Sequence, residues 1–256
     1  MRPFSFSAVY NRFFSLLSGH FGLIFGIGLL MVVGPTVGAA YSFEVFLGVD
    51  AAAWSERFHT TDVDNGLYVI GAQIAMAILN LMATSILIET MTTKAAGKRV
   101  DGGKIFGHAI GNILPLIGVS ILVGLTVLGG FILLIVPGII WALATSVATP
   151  LFVSQPGVGV SGAVSKSFEL TRGHRWELLA VFLVGFLMLV LFSGALPAAE
   201  QLPVLAGKFT LAMNLAQVGI SDVADLLGTV FVTAIYLTLR ESKTKASPEL
   251  TADVFS

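Results

Sequence analysis

The stretch AIGNILPLIGVSILVGLTVLGGFILLIVPGIIWALATSVATPLFV, from Ala109 to Val153, carries no charged residue. At about 1.5 Å per residue it would make roughly 67 Å of helix, against a bilayer hydrocarbon core of about 30 Å. It therefore predicts two membrane segments folded back on each other as a helical hairpin. Two pairs break helix well enough to form the turn, Gly129-Gly130 and Pro137-Gly138, and neither has polar flanks. The diglycine is the favoured turn, which leaves Pro137 as a kink in the fourth helix.

Four more apolar runs flank this stretch: Phe21 to Tyr41, Leu67 to about Met91, Trp176 to about Leu196, and Asp222 to Leu239. The chain of 256 residues is 55% hydrophobic and 11% charged, where a soluble domain carries about 25% charged residues. The fold class expected is all-α. A single integral membrane domain, residues 1–256, would cross the bilayer six times as three hairpins.

Basic residues set the orientation, because short cytoplasmic loops retain lysine and arginine during insertion. With six spans and the N-terminus inside, the inner segments hold Arg2, Arg12, Lys94, Lys98, Arg99, Lys104, Lys166, Arg172, Arg175, Arg240, Lys243 and Lys245, and the outer ones hold only Arg57 and Lys208. Were residues 109–153 to cross once, Lys166, Arg172 and Arg175 would fall outside, so the charge pattern independently favours a hairpin there. Both termini are then cytoplasmic in a multi-pass protein of a bacterial inner membrane. A cleaved signal peptide ending near Val37-Gly38-Ala39 is the rival reading of the start, but its apolar run is long for a signal core and its removal leaves an odd number of spans.

Two segments have the pattern of interfacial amphipathic helices. From Phe4 to Ser18, the residues Phe6, Val9, Phe13, Phe14 and Leu17 gather near one face, opposite Ser7, Asn11, Arg12 and Ser15. From Val160 to Gly173, the residues Ala163, Val164, Phe168 and Thr171 oppose Lys166, Glu169 and Arg172. They precede the first and fifth spans. Phe14-Ser-Leu16-Leu-Ser-Gly19-His20 also aligns with Phe168-Glu-Leu170-Thr-Arg-Gly173-His174, and a weaker copy begins near Phe106-Gly-His108. This suggests repeat units at 4–92, 103–155 and 158–240, each a surface helix followed by a hairpin. The largest outer loop, Ser42 to Gly66, has Glu44, Asp50, Glu56, Asp62 and Asp64 against Arg57 alone.

Motifs for bond-breaking chemistry are missing from the sequence: it has no HExxH, GxSxG or P-loop, no histidine cluster, and no cysteine at all. No enzyme activity, cofactor or metal is expected, and a net charge of -1 gives no reason to expect nucleic acid as a partner. The candidate contacts for lipid headgroups or a partner are Arg12, Lys166, Arg172 and Arg175. Gln73 and Asn80 on the second span, with Asp222 and Asp225 at the sixth, form the candidate intramembrane polar site. The two aspartates also suit a helix start, and Glu89 is expected to pair with a basic residue in the loop that follows it. Gly22, Gly26, Gly34 and Gly38 would allow close helix contact, and Pro35 would kink the first span.

Three strings resemble the central signature of a bacterial inner-membrane family called the glycerophosphoryl diester phosphodiesterase membrane domain: Ile135-Val-Pro137-Gly138-Ile-Ile-Trp141, Ala148-Thr-Pro150-Leu-Phe-Val153, and Ser167-Phe-Glu-Leu170-Thr171-Arg172-Gly173-His-Arg-Trp176. The ending Tyr236-Leu-Thr-Leu239-Arg240-Glu241, with Leu250-Thr-Ala-Asp-Val-Phe255, is similar to a tail frequent in that group. The resemblance implies six spans in the inner membrane. It implies no phosphodiesterase activity, because that chemistry belongs to a separate soluble domain with no counterpart in this sequence. The leading expectation is a non-catalytic protein that binds membrane lipids or a partner, either another membrane protein or a second copy of itself. A small transporter or channel for an ion, small molecule or lipid is the alternative.

Overall fold

A computed structural model of the chain describes residues 4–47, 63–193 and 210–246. The described residues are almost entirely helical, with no strand among them. Five helical stretches are long and apolar enough to cross a bilayer: Phe21–Ala39, Ile70–Ala95, Gly102–Leu133, Ile135–Ser154 and Gly219–Thr244. This is a multi-pass helical membrane protein.

Helix α1 (Phe6–Gly28) starts on a sequence-local cap. The Ser5 hydroxyl accepts the Ala8 backbone N–H at 3.3 Å, while Phe4 and Val9, the staple positions on either side of the cap, are both buried. The helix then runs without a break from the expected surface segment into the first span. Gly19 does not interrupt it, whereas the aligned Gly173 takes φ +92° and ends a helix. The two similar strings therefore adopt different local structures.

One turn of π-helix, Leu29–Val33, separates α1 from α2 (Gly34–Leu47). Pro35 follows directly. Its ring cannot sit against a regular preceding turn, and widening that turn by one residue relieves the clash. Gly34 is needed at this point, since a Cβ there would lie 2.7 Å from the Leu29 carbonyl oxygen. The expected distortion at Pro35 is thus a π turn. The close contacts expected at Gly22, Gly26 and Gly38 are not seen among the described residues, where nothing lies within 4 Å of a Cβ built at each.

Helix α3 (Val63–Ala95) ends in a Schellman turn: the Gly97 N–H donates to the Lys94 carbonyl, the Lys98 N–H donates to the Thr93 carbonyl, and Gly97 takes φ +69°. Asp101 then caps α4 (Gly102–Leu133), its carboxylate accepting the N–H groups of Gly103 and Lys104.

Neither expected pair makes the hairpin turn. A single extended residue, Leu134 at φ −170° and ψ 162°, joins α4 to α5 (Ile135–Thr145). Gly130 and Gly138 instead form the contact between the two helices: a Cβ on Gly130 would lie 2.9 Å from the Gly138 Cα and 3.1 Å from the Pro137 carbonyl oxygen. Pro137 sits in the first turn of α5, where a missing N–H removes no helical hydrogen bond, so it introduces no kink.

After α6 (Ala148–Ser154) and α7 (Val160–Thr171), helix α8 (Arg175–Ser193) covers residues of the run expected as a fifth span but is not among the five stretches above. Helix α9 (Thr210–Ala246) contains the sixth. Asp222 and Asp225 lie well inside α9, so they do not start a helix as the sequence suggests.

Contacts divide the chain into two compact units, one of Met1–Phe21, Thr84–Gly185 and Gly228–Ser256, the other of Gly22–Ala83 and Phe186–Leu227. In the first, α7 packs on the hairpin rather than lying alone on a surface. Val119, Ala148 and Val164 form a buried cluster covered by Leu122, Phe152, Val160 and Phe168. The buried Ser167 hydroxyl donates to the Ala144 carbonyl at 2.7 Å. Ser167→Ala should lower stability by about 1 kcal/mol, the usual worth of one buried hydrogen bond, read as an earlier denaturation midpoint. In the second unit, Leu226 reaches toward Gly28, and Gly219 packs near Val33 and Val37.

Candidate functional site

Glu89 lies two turns before the end of α3, and the Schellman turn and Asp101 cap bring α4 back beside it. His108, on the second turn of α4, meets it: the two are joined between Nδ1 and Oε1 at 2.8 Å. With a carboxylate accepting, Nδ1 carries the hydrogen and Nε2 is left for another partner. The partner of Glu89 is thus a histidine 19 residues on, not a lysine or arginine of the intervening loop. Its second oxygen, Oε2, is buried and has no hydrogen-bond partner among the described residues.

A cavity of about 380 Å³ opens beside this pair. Its polar lining includes Glu89, Thr92, Lys98, His108, Asn112 and Gln155. The far wall is the turn after α6, where the Val158 N–H donates to the Gln155 carbonyl. Pro156 and Gly157 are its central residues, and Gly157 takes φ +92°, which makes a type II turn that only glycine fits easily. Tyr236 of α9, fully buried, anchors this wall through its hydroxyl, which pairs with Ser154 Oγ at 2.7 Å and lies 3.5 Å from the Gln155 amide nitrogen.

Glu89 and Lys98 thus line one polar hollow at the basic end of two apolar helices. A ligand that meets both needs a cationic or hydroxyl donor for Glu89 and an anionic group for Lys98. Comparisons with family models, curated proteins and solved structures give no match.

None of the four basic residues singled out by sequence lines the cavity. Arg12 pairs with Glu241 at 2.6 Å, a partly exposed contact worth at most about 1 kcal/mol. Arg175 lies 6.0 Å above the Phe168 ring, a cation–π arrangement. Lys166 is half-buried on α7, and Arg172 is exposed at its end. The Lys243 ammonium donates to the Glu169 and Arg172 carbonyls, capping the C-terminus of α7. Arg172 and Lys243 therefore stand together at that end.

Of the intramembrane set, Asp222 hydrogen-bonds the hydroxyl of Thr36, which also donates back to the Val32 carbonyl beside the π turn. Asp225 lies one helical turn further along α9. Gln73 and Asn80 are half-buried on α3. Thr36 escaped the sequence reading, having no charge and no local motif. Among the outer-loop residues, Asp50, Glu56, Arg57, His59, Asp62 and Lys208 lie outside the described residues.

Proposed function

We propose that this chain is a non-catalytic protein of a bacterial inner membrane that holds a phospholipid headgroup in the cavity beside Glu89 and His108. With six membrane segments in three hairpins and both termini cytoplasmic, that cavity would lie at the inner leaflet. The strings that resemble the phosphodiesterase membrane-domain family would imply the same architecture and no reaction. The observation that carries the reading is that Glu89 and Lys98, a carboxylate and a lysine, both line one cavity. An ammonium or hydroxyl headgroup would donate to the Glu89 carboxylate. The phosphate of the same headgroup would meet Lys98.

Gentle detergent extraction followed by native mass spectrometry is the test. The wild-type protein should carry a bound phospholipid, and Lys98→Ala should lose most of it. Isolation without any lipid, or equal retention by the variant, would count against the reading. A protein partner in its place, a second copy included, would move the assignment to assembly. A transport role has one observation in its favour, the Thr36–Asp222 pair beside a π turn in the first span. Flux into reconstituted vesicles that disappears with Asp222→Ala would favour it.

A further inference from the structure

We infer that the α4–α5 pair is a re-entrant hairpin, entering the bilayer from the cytoplasmic side and turning back inside it, with its tip among lipid acyl chains. The geometry sets a limit on its reach. Thr171 and Ser167 of α7 both hydrogen-bond the Ala144 carbonyl, and the next residue after Thr171 is the exposed Arg172, beside Glu169 and Lys243. Ala144 is therefore close to charged groups at the headgroup level. Leu134, ten residues earlier on the same helix, can be no more than about 15 Å away at helical rise. On the other arm, the Val160 side chain at the start of α7 lies 3.3 Å from where a Cβ on Gly118 would sit, and the sixteen residues from there to Leu134 span about 24 Å. Both distances fall short of the roughly 30 Å needed to reach the opposite headgroups. Helix α4 is about 48 Å long at that rise and so lies obliquely.

The tip has the chemistry that such a position demands. No polar side chain occurs between Thr126 and Thr145 apart from the Trp141 indole. Ile132, Leu133, Leu134, Ile135 and Val136 are all exposed, each at 64% or more. An aqueous loop would not place five such side chains in water, and hydrocarbon accepts them. The backbone is economical as well. The Leu134 N–H donates to the Gly130 carbonyl, its own carbonyl accepts the Gly138 N–H, and Pro137 removes a donor that lipid could not satisfy. Parity is unchanged, so the basic-residue pattern fits a re-entrant pair as well as two crossings.

The inference does not depend on what fills the Glu89 cavity. It is tested on the natural background, which has no cysteine, by placing single cysteines at Leu114, Leu125 and Leu134, exposed positions along the hairpin. Each variant is nitroxide-labelled and reconstituted in phosphatidylcholine–phosphatidylglycerol vesicles, and collision with oxygen is compared with collision with a water-soluble nickel chelate. The oxygen-to-nickel ratio should rise from Leu114→Cys through Leu125→Cys to a maximum at Leu134→Cys. A ratio that peaks at residue 125 and falls at residue 134 would mean a full crossing and overturn the inference. Low collision with both reagents at residue 134 would mean a protein-covered tip and would overturn it equally.

Discussion

Gly130→Val should be the most destabilising single substitution in the hairpin, costing roughly 3 kcal/mol, the upper end of what overpacking a close contact produces. A Cβ at residue 130 meets backbone on the facing helix, 2.9 Å from the Gly138 Cα and 3.2 Å from its nitrogen, and backbone cannot rotate away as a side chain can. The reverse substitution is no easier, since a Cβ on Gly138 would strike the Phe131 ring at 2.5 Å. Gly124→Ala on the same helix is the control, because nothing lies within 4 Å of its missing Cβ. Denaturation of the detergent-solubilised protein by dodecyl sulfate should show a much earlier midpoint for Gly130→Val and none of that loss for Gly124→Ala. Equal midpoints would mean that α4 and α5 do not meet at these glycines.

Glu89→Ala should weaken binding of an ethanolamine phospholipid by about tenfold or more, the effect of losing one charge-assisted hydrogen bond of about 1.5 to 3 kcal/mol. In the proposed site the Glu89 carboxylate, which lines the cavity beside His108, would accept from the ammonium. Glu241→Ala removes a carboxylate from the Arg12 pair, away from the cavity, and should leave binding unchanged. Titration of the two variants with short-chain phosphatidylethanolamine in micelles separates the cases. Equal affinities would remove Glu89 from the site.

Membrane character was legible because it depends on composition, which no tertiary detail can reverse. Uncharged runs of span length appear where the apolar helices lie, and the hairpin at 109–153 follows from length alone. Its turn was not legible. Gly130 and Pro137-Gly138 have the residue types of a turn, yet glycine also serves where two helices touch and proline where a helix begins. Only the facing helix tells these uses apart.

A similar ambiguity misplaced Asp222, whose carboxylate suits a helix N-terminus but here meets Thr36, nearly two hundred residues away in sequence. The Glu89–His108 pair was half visible: the acid calls for a cationic partner, and the lysines and arginines nearest in sequence are its natural candidates. Two caps, at Gly97 and Asp101, reverse the chain and bring His108 to it instead. The cavity wall had a local signal in Pro156-Gly157, a type II turn pair, but nothing in sequence linked it to Tyr236.

The account depends on the basic ends of these helices facing the cytoplasm, with the Glu89 cavity among them. A single cysteine at Pro156, an exposed turn residue on the cavity wall, tests this most directly. In intact cells a membrane-impermeant maleimide should leave Pro156→Cys unmodified, and the same reagent should label it once inverted inner-membrane vesicles expose the cytoplasmic face. Labelling in intact cells would place the cavity on the periplasmic side and contradict the orientation, the inner-leaflet site and the direction of the hairpin together.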